Sequence, residues 1–404
     1  MIGRRLWWLA FLQLAGYARA ASQAPPTLGQ VLNIALLRNP DLLQARLLVD
    51  SAHGERRIAG ALPNPTYTGI PGNPYQYSVS LPVDVSLERL YRTRAARRGQ
   101  DVAELGLEDA IRLVAFNVRQ GFYDLLLADA HQQVAREERD ILQQLLQADS
   151  VRLRAGDISE RDLVRSELES ARADAALTRA DADVRAARLA LQALMGVPDP
   201  DTGFTVTGQL ESAPALTLSV DSLLPLALAE RPDLAAARRQ AEQSHSLAAL
   251  ATADLLPIPV VSLVYQRAPF ASGLRYAFGI ALPVPLFYRN GGERERASAG
   301  VSAAEVGVRR KRVQVDEDVA VAAANYRSAR VLAERYQAGL LDKAEAALEA
   351  TRFAYQQGAA SLLELLDAIR TYGGTRAEFY GAVHDYWVTA FALSRAVGVD
   401  VVQE

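Results

Sequence analysis

Two carboxylates three residues apart, Glu364 and Asp367 in "SLLELLD", are the groups in this 404-residue chain whose types and spacing most suggest chemistry. A helix places both on one face. In a symmetric oligomer each would recur around the axis as a ring of like charges, which draws cations into a constriction and turns anions away. On a lone helix the same pair only caps the first turn and solvates the surface. Two stretches, "QQGAASLLELLD" and "RAGDISERDL", share a layout around such acids. A glycine (Gly358, Gly156) suits the left-handed residue that ends a helix. Ser361 or Ser159 follows, with Glu364 or Asp162 three residues on, the capping-box pattern that starts a new helix. Two tight helix–turn–helix tips are expected, and such tips also offer a surface for a partner to grip.

Catalytic chemistry finds no support. His53, His131, His245 and His384 stand far apart with no metal-ligand spacing, and the chain has no cysteine. No nucleophile elbow or metalloprotease pattern occurs, and "YRNGGERER" lacks the lysine of a phosphate loop. Neither an enzyme, a cofactor nor a resident metal is expected. The first twenty residues read as a secretory leader: Arg4 and Arg5, the apolar "LWWLAFLQLAGY", then "ARA" ending at Ala20. Its removal takes Arg4, Arg5 and Arg19 away and moves the net charge from −3 to −6, which disfavours nucleic acid. No later stretch is long and apolar enough for a transmembrane helix.

The elements that must position the acids come in two sets. "TLGQVLNIALLRNPDLLQAR" (27–46) returns as "SVDSLLPLALAERPDLAAAR" (219–238), with Thr27 and Ser219 as helix caps and with Pro40 and Pro232 breaking the helix at one shared point. "YQYSVSLPVDVSL" alternates strictly, with Tyr75, Tyr77, Val79, Leu81, Val83, Val85 and Leu87 on one side. "LRYAFGIALPVPL" does the same with Tyr276, Phe278, Ile280 and Leu282. This is the pattern of strands with one apolar face. Strands are expected at about 65–70, 75–86, 259–267 and 274–286, one hairpin in each of two repeats, 21–218 and 219–404. Helix is expected over about 88–154 and 293–357, with returning arms to Met195 and Ala396. The fold class is mainly α with a small β part.

Four strands provide no second sheet to cover those aromatics and cannot close a membrane barrel alone. Strands pooled from two chains would make eight, or from three chains twelve, and a closed barrel leaves no edge in lipid. The apolar face, Tyr75, Tyr77, Val79, Leu81, Tyr276, Phe278, Ile280 and Leu282, is therefore expected to meet outer-membrane lipid, with the tyrosines and Phe278 as an aromatic girdle. A periplasmic adaptor and a structural coiled-coil protein remain alternatives. The first should have one helical hairpin flanked by β-rich domains, the second continuous heptads without the alternating strands.

The doubled "NPDL…AR" and "RPDL…AR", the "LPVPLFYRNGGERERA" after the last strand and the glycine–serine tips resemble the TolC-like outer-membrane efflux channel family, in the family's order over essentially all of the mature chain. The resemblance implies a homotrimer whose 12-stranded β-barrel continues as an α-helical barrel in the periplasm of a Gram-negative cell. It implies a passive exit duct docked onto a periplasmic adaptor (membrane fusion protein) and an inner-membrane pump of the resistance-nodulation-division or ABC type. With no cysteine after the leader, it implies a non-lipidated member. It places the adaptor-docking tips at Gly156, Asp157, Ser159, Gly358, Ala359 and Ser361 and the periplasmic gate at Glu364 and Asp367. Tyr355 and Asp162 match two positions of the latch that holds the gate closed, and Ala360 stands where a basic latch partner is usual.

Overall fold

The computed structural model of the chain describes residues 25–72, 75–210, 220–267 and 276–401. The leader at 1–20, the cap at Ser219 and the first two residues of the expected strand 274–286 lie outside the described residues. The described residues are mainly helical with one small sheet. In order come α1 (Leu28–Arg38), α2 (Pro40–Gly60), β1 (Thr66–Ile70), β2 (Tyr75–Pro82), α3 (Glu88–Ala155) and α4 (Glu160–Leu194), then α5 (Val220–Glu230), α6 (Pro232–Ala253), β3 (Val260–Arg267), β4 (Tyr276–Ala281), α7 (Gly291–Gln337), α8 (Leu340–Gln356) and α9 (Leu362–Val397).

The helix boundaries follow from local chemistry. Thr27 caps α1 in a capping box with Gln30, whose Oε1 accepts from the Thr27 N–H at 3.0 Å. Proline lacks an N–H and fits the first helical position, so Pro40 and Pro232 each end one helix and begin the next. The side chain at each break holds the end of a returning helix: Asn39 Nδ2 donates to the Leu194 carbonyl at 2.8 Å, and Arg231 Nη1 to the Ala396 carbonyl at 3.2 Å. α3 is unbroken for 68 residues, as its run of helix formers predicts. The matching run, expected to be continuous over 293–357, instead breaks between α7 and α8. Gly339 sits in the left-handed region at φ 95°, where a right-handed helix cannot pass.

Two compact units result, each drawn from three stretches. One comprises Met1–Asn39, Ala115–Pro214 and Arg327–Thr389, and so holds α1, α4, α8, both tips and most of α3 and α9. The other comprises Pro40–Val114, Ala215–Tyr326 and Ala390–Glu404, and holds the sheet, α2, α5, α6 and most of α7.

The sheet is antiparallel throughout in the order β1-β2-β3-β4, so the two hairpins join edge to edge through β2 and β3. Register gathers the aromatic residues on one face. Tyr67, Val79, Leu263 and Phe278 form one cross-strand row, and Leu81, Val261 and Ile280 the next. Tyr77, Tyr265 and Tyr276 form a third, and with Tyr67 they make a chain of ring contacts at 5.1–6.4 Å across all four strands. The opposite face is mixed: Thr66, Ser80, Ser262 and Gly279 form one row, Ile70, Gln76 and Gln266 another, Thr68, Ser78, Val264 and Ala277 a third, and Pro82, Val260 and Ala281 a fourth. The apolar side is uncovered, with Phe278 85% and Ile280 77% exposed.

Both long strands are shorter than their alternation predicts. β2 ends at Pro82 rather than near 86, and β4 ends at Ala281, so Leu282 lies just beyond the strand, still exposed. Proline removes a ladder donor, and the polar residues that follow build a helix cap instead. Asp84 accepts from the Ser86 N–H at 3.0 Å and the Arg89 N–H at 2.8 Å, which turns 83–87 into the entrance of α3.

Candidate functional site

Both tips are built alike. Each helix ends in a Schellman turn: Gly156 N–H donates to the Leu153 carbonyl and Asp157 N–H to that of Arg152, as Gly358 donates to Tyr355 and Ala359 to Ala354. Gly156 and Gly358 take φ 84° and 73°, which is why glycine stands there. Ser159 and Ser361 then restart the chain. Asp162 N–H donates to Ser159 Oγ at 3.2 Å, while the Asp162 carboxylate accepts from that hydroxyl at 2.6 Å. Glu364 repeats the pattern, its carboxylate accepting from the Ser361 N–H at 2.6 Å and the hydroxyl at 3.0 Å. These bonds stabilise the ionised acids. The backbone and then the side chain of Ser361 hold Glu364 below the ordinary glutamate range, and chiefly the Ser159 hydroxyl does so for Asp162.

The structure brings Glu364, Asp367, Ala359 and Ala360 together. They line an open hollow of about 510 Å³ between α8 and α9, whose other walls are mostly alanine, among them Ala347 and Ala354. Both carboxylates are exposed. One helix turn of α9 therefore presents two negative charges on a surface of minimal side-chain bulk.

Tyr355 and Asp162 are not bonded to each other. Asp162 is held by its serine, and Tyr355 is buried. The Tyr355 hydroxyl donates to Asp149 Oδ1 at 2.8 Å, and Ser166 Oγ donates to Asp149 Oδ2 at 2.5 Å. Asp149 is fully buried, so one carboxylate on α3 ties α8 to α4. Burial and then the Asp149 bond push the Tyr355 hydroxyl up to about 12, although the Arg152 guanidinium lies 4.9 Å over its ring. The tie is surrounded by Leu142, Leu145, Leu348, Leu362 and Leu365. Farther along α4, the Glu169 carboxylate accepts from Arg370 of α9 at 2.5 Å and from Arg172 at 2.9 Å.

Sequence reasoning missed Asp149 and Ser166. The available signal was an acid on an apolar stripe: Leu142 and Leu145 lead to 149 at helical spacing, and a carboxylate there must find buried partners. Of the histidines, His384 is held within the fold. The His384 ring meets Asp124 at 2.8 Å and Asp385 at 3.1 Å. Burial opposes its positive charge, but these two carboxylates outweigh burial and raise its pKa above the usual 6.5. Its contribution is therefore complete below the unfolded value and is lost as pH rises through the raised one. The midpoint of heat denaturation should fall as pH rises above about 6.5, and His384→Gln should flatten that slope. No group of acids and histidines that could hold a metal occurs among the described residues.

Known proteins agree with this architecture. The family described as "Outer membrane efflux protein" matches residues 72–197 and 223–399. The chain is 27% identical over 380 residues to the cobalt-zinc-cadmium resistance protein CzcC of Cupriavidus metallidurans, covering 93% of this chain and 90% of that one. It is 26% identical over 413 residues to the cation efflux system protein CusC of Escherichia coli, covering 91% and 85%. The Campylobacter jejuni CmeC outer membrane channel superposes with a TM-score of 0.83 at 15% identity, covering 96% of this chain and 91% of the other.

Proposed function

The chain belongs to the outer membrane efflux protein family, and from that premise we propose that it is the passive exit duct of a tripartite efflux system that expels metal cations. It is a Gram-negative outer-membrane transport protein, not an enzyme. The observation that carries the duct reading is the sheet: its aromatic rows and most of its large apolar side chains gather on one uncovered face. Such a face is stable against lipid, and strand edges are tolerated there only when paired. The outer edges of β1 and β4 have no partner among the described residues. Three copies, each joining its β4 to the next copy's β1, close a 12-stranded barrel with Thr66, Ser80 and Gln76 toward a wet lumen. The two sets of elements, 21–218 and 219–404, act as structural repeats that each contribute one hairpin and one long antiparallel helix pair. The helices continue the barrel as the periplasmic tunnel.

At the tips, Gly156, Asp157, Ser159, Gly358, Ala359 and Ser361 form the docking surface for the periplasmic adaptor, which in turn recruits the inner-membrane pump. Glu364 and Asp367 form two acidic rings in the trimer, the selective step of the duct. The Tyr355–Asp149–Ser166 tie holds the gate's helices together when closed. Cations as cargo are supported by the ionised acids of the tip and by the names of the relatives, which specify cobalt, zinc, cadmium and cation efflux.

The test is purification from the outer-membrane fraction in detergent followed by planar-bilayer recording. A three-copy particle that conducts cations in preference to anions is expected. A monomer recovered from the periplasm without detergent would overturn the reading.

A further inference from the structure

Below β2 lies a groove of about 570 Å³ that the duct reading leaves unused. Its walls are Leu62, Leu81, Val83, Leu87 and Leu90, and Arg89 stands at its edge. Leu81 and Val83 extend the apolar face of β2, so the groove is continuous with the surface assigned to lipid. Leu62 is 68% exposed and Leu87 59%, and Leu87 adopts φ 63°, a conformation rare for a bulky side chain, at the entrance to α3.

Charge changes sign where the apolar wall ends. "ERLYRTRAARRG" sets Arg89, Arg92, Arg94, Arg97 and Arg98 in the first turns of α3; the nearby acids are Glu88 and Asp84, which also lines the groove, and Arg98 is paired with Asp101 and Glu242. Asp84 already caps the α3 N-terminus, so the arginine side chains and not the helix end are what is left for an outside anion. The arginines are not equivalent. Arg92 is occupied by the carbonyls of Ala59 and Ala61 and by Glu88. The Arg89 side chain donates only through Nε, to the Gly60 carbonyl at 2.9 Å. That bond fixes the guanidinium plane, and both its Nη groups lack a partner among the described residues. An oriented fork of free N–H donors suits bidentate recognition of phosphate.

We propose that this groove binds an anionic glycerophospholipid of the periplasmic leaflet, with an acyl chain along Leu62, Leu81 and Leu90 and its phosphate on Arg89. The proposal rests on the lipid-facing reading of the sheet and adds to it a defined headgroup site at the membrane's inner boundary.

Native mass spectrometry of the detergent-purified full-length trimer, with phosphatidylglycerol or phosphatidylcholine added, tests it. The wild type should retain phosphatidylglycerol in preference to phosphatidylcholine. Arg89→Gln should lower that retention about tenfold, the scale of a lost charge-assisted hydrogen bond. Leu62→Gln, which leaves every charge in place, should lower retention of both lipids. Equal retention by wild type and Arg89→Gln would overturn the proposal. So would a Leu62→Gln variant that falls apart into monomers while Arg89→Gln keeps its lipid, since that assigns the groove to a neighbouring copy. Failure of the underlying lipid-facing reading has a different signature: the wild-type protein itself would stay folded and dispersed without detergent.

Discussion

Asp149→Ala should produce a channel that is open far more often than the wild type. The substitution leaves the Tyr355 and Ser166 hydroxyls buried without their shared acceptor. Each orphaned group costs about 1–3 kcal/mol. An opening movement that parts α8 from α3 must break the Tyr355–Asp149 bond, so this cost falls on the closed arrangement and not on the open one. A loss of about 2.8 kcal/mol shifts the closed–open balance about a hundredfold. Single-channel recording should show long open dwells at voltages where the wild type is closed. Tyr355→Phe removes one bond but leaves Asp149 its serine, and should shift the balance less. Wild-type dwell times in Asp149→Ala would remove the tie from the gate and leave it as packing. Asp162→Ala discriminates further. With its carboxylate committed to Ser159, its loss should weaken the tip's cap and move the gate much less than Asp149→Ala does.

The second large effect belongs to Glu364→Gln combined with Asp367→Asn. Both changes keep shape and one acceptor oxygen, exchange the other oxygen for an NH2 donor, and remove the charge. A monovalent cation passing about 6 Å from a carboxylate gains about 0.7 kcal/mol in a water-like dielectric. Three copies of one acid then give about 2 kcal/mol, roughly a thirtyfold enrichment, and a divalent ion gains twice the energy. The double variant should therefore lose most of its cation preference, read as a reversal potential that collapses toward zero in a salt gradient. Because Glu364 is also the capping partner of Ser361, Gln, which still accepts from the Ser361 N–H, is the cleaner replacement than Ala. An unchanged reversal potential would place the selective constriction elsewhere.

What the sequence made legible was local. The tips were readable because a Schellman glycine and a capping box act over a short local stretch, and Gly156 to Asp162 and Gly358 to Glu364 carry the residue types that mark them. The breaks at Pro40 and Pro232 were readable because a missing N–H has one consequence wherever it occurs. The apolar strand face was readable because a period of two leaves no other arrangement. What stayed hidden depended on partners distant in the chain. Asp149 finds Tyr355 206 residues away, and neither residue alone specifies the other. The pairing of β2 with β3 joins two hairpins whose sequences describe only themselves. The helix break at Gly339 was overlooked for a different reason. Gly106 and Gly121 lie inside α3 without breaking it, so glycine alone does not announce the left-handed turn. The strand ends at Pro82 and Ala281 were over-extended because alternation continues through residues that the Asp84 cap and the prolines recruit for the turn into helix.

The apolar face of the sheet decides whether any of this describes a membrane duct, and the absence of cysteine makes it directly measurable. Val79→Cys and Ser78→Cys, adjacent on β2 and on opposite faces, would each carry a small thiol-linked fluorophore in protein reconstituted into bilayers containing brominated lipid. The account predicts strong quenching at position 79 and little at 78, with water-soluble iodide quenching 78 through the lumen. Equal quenching of both positions by iodide, and of neither by brominated lipid, would contradict it.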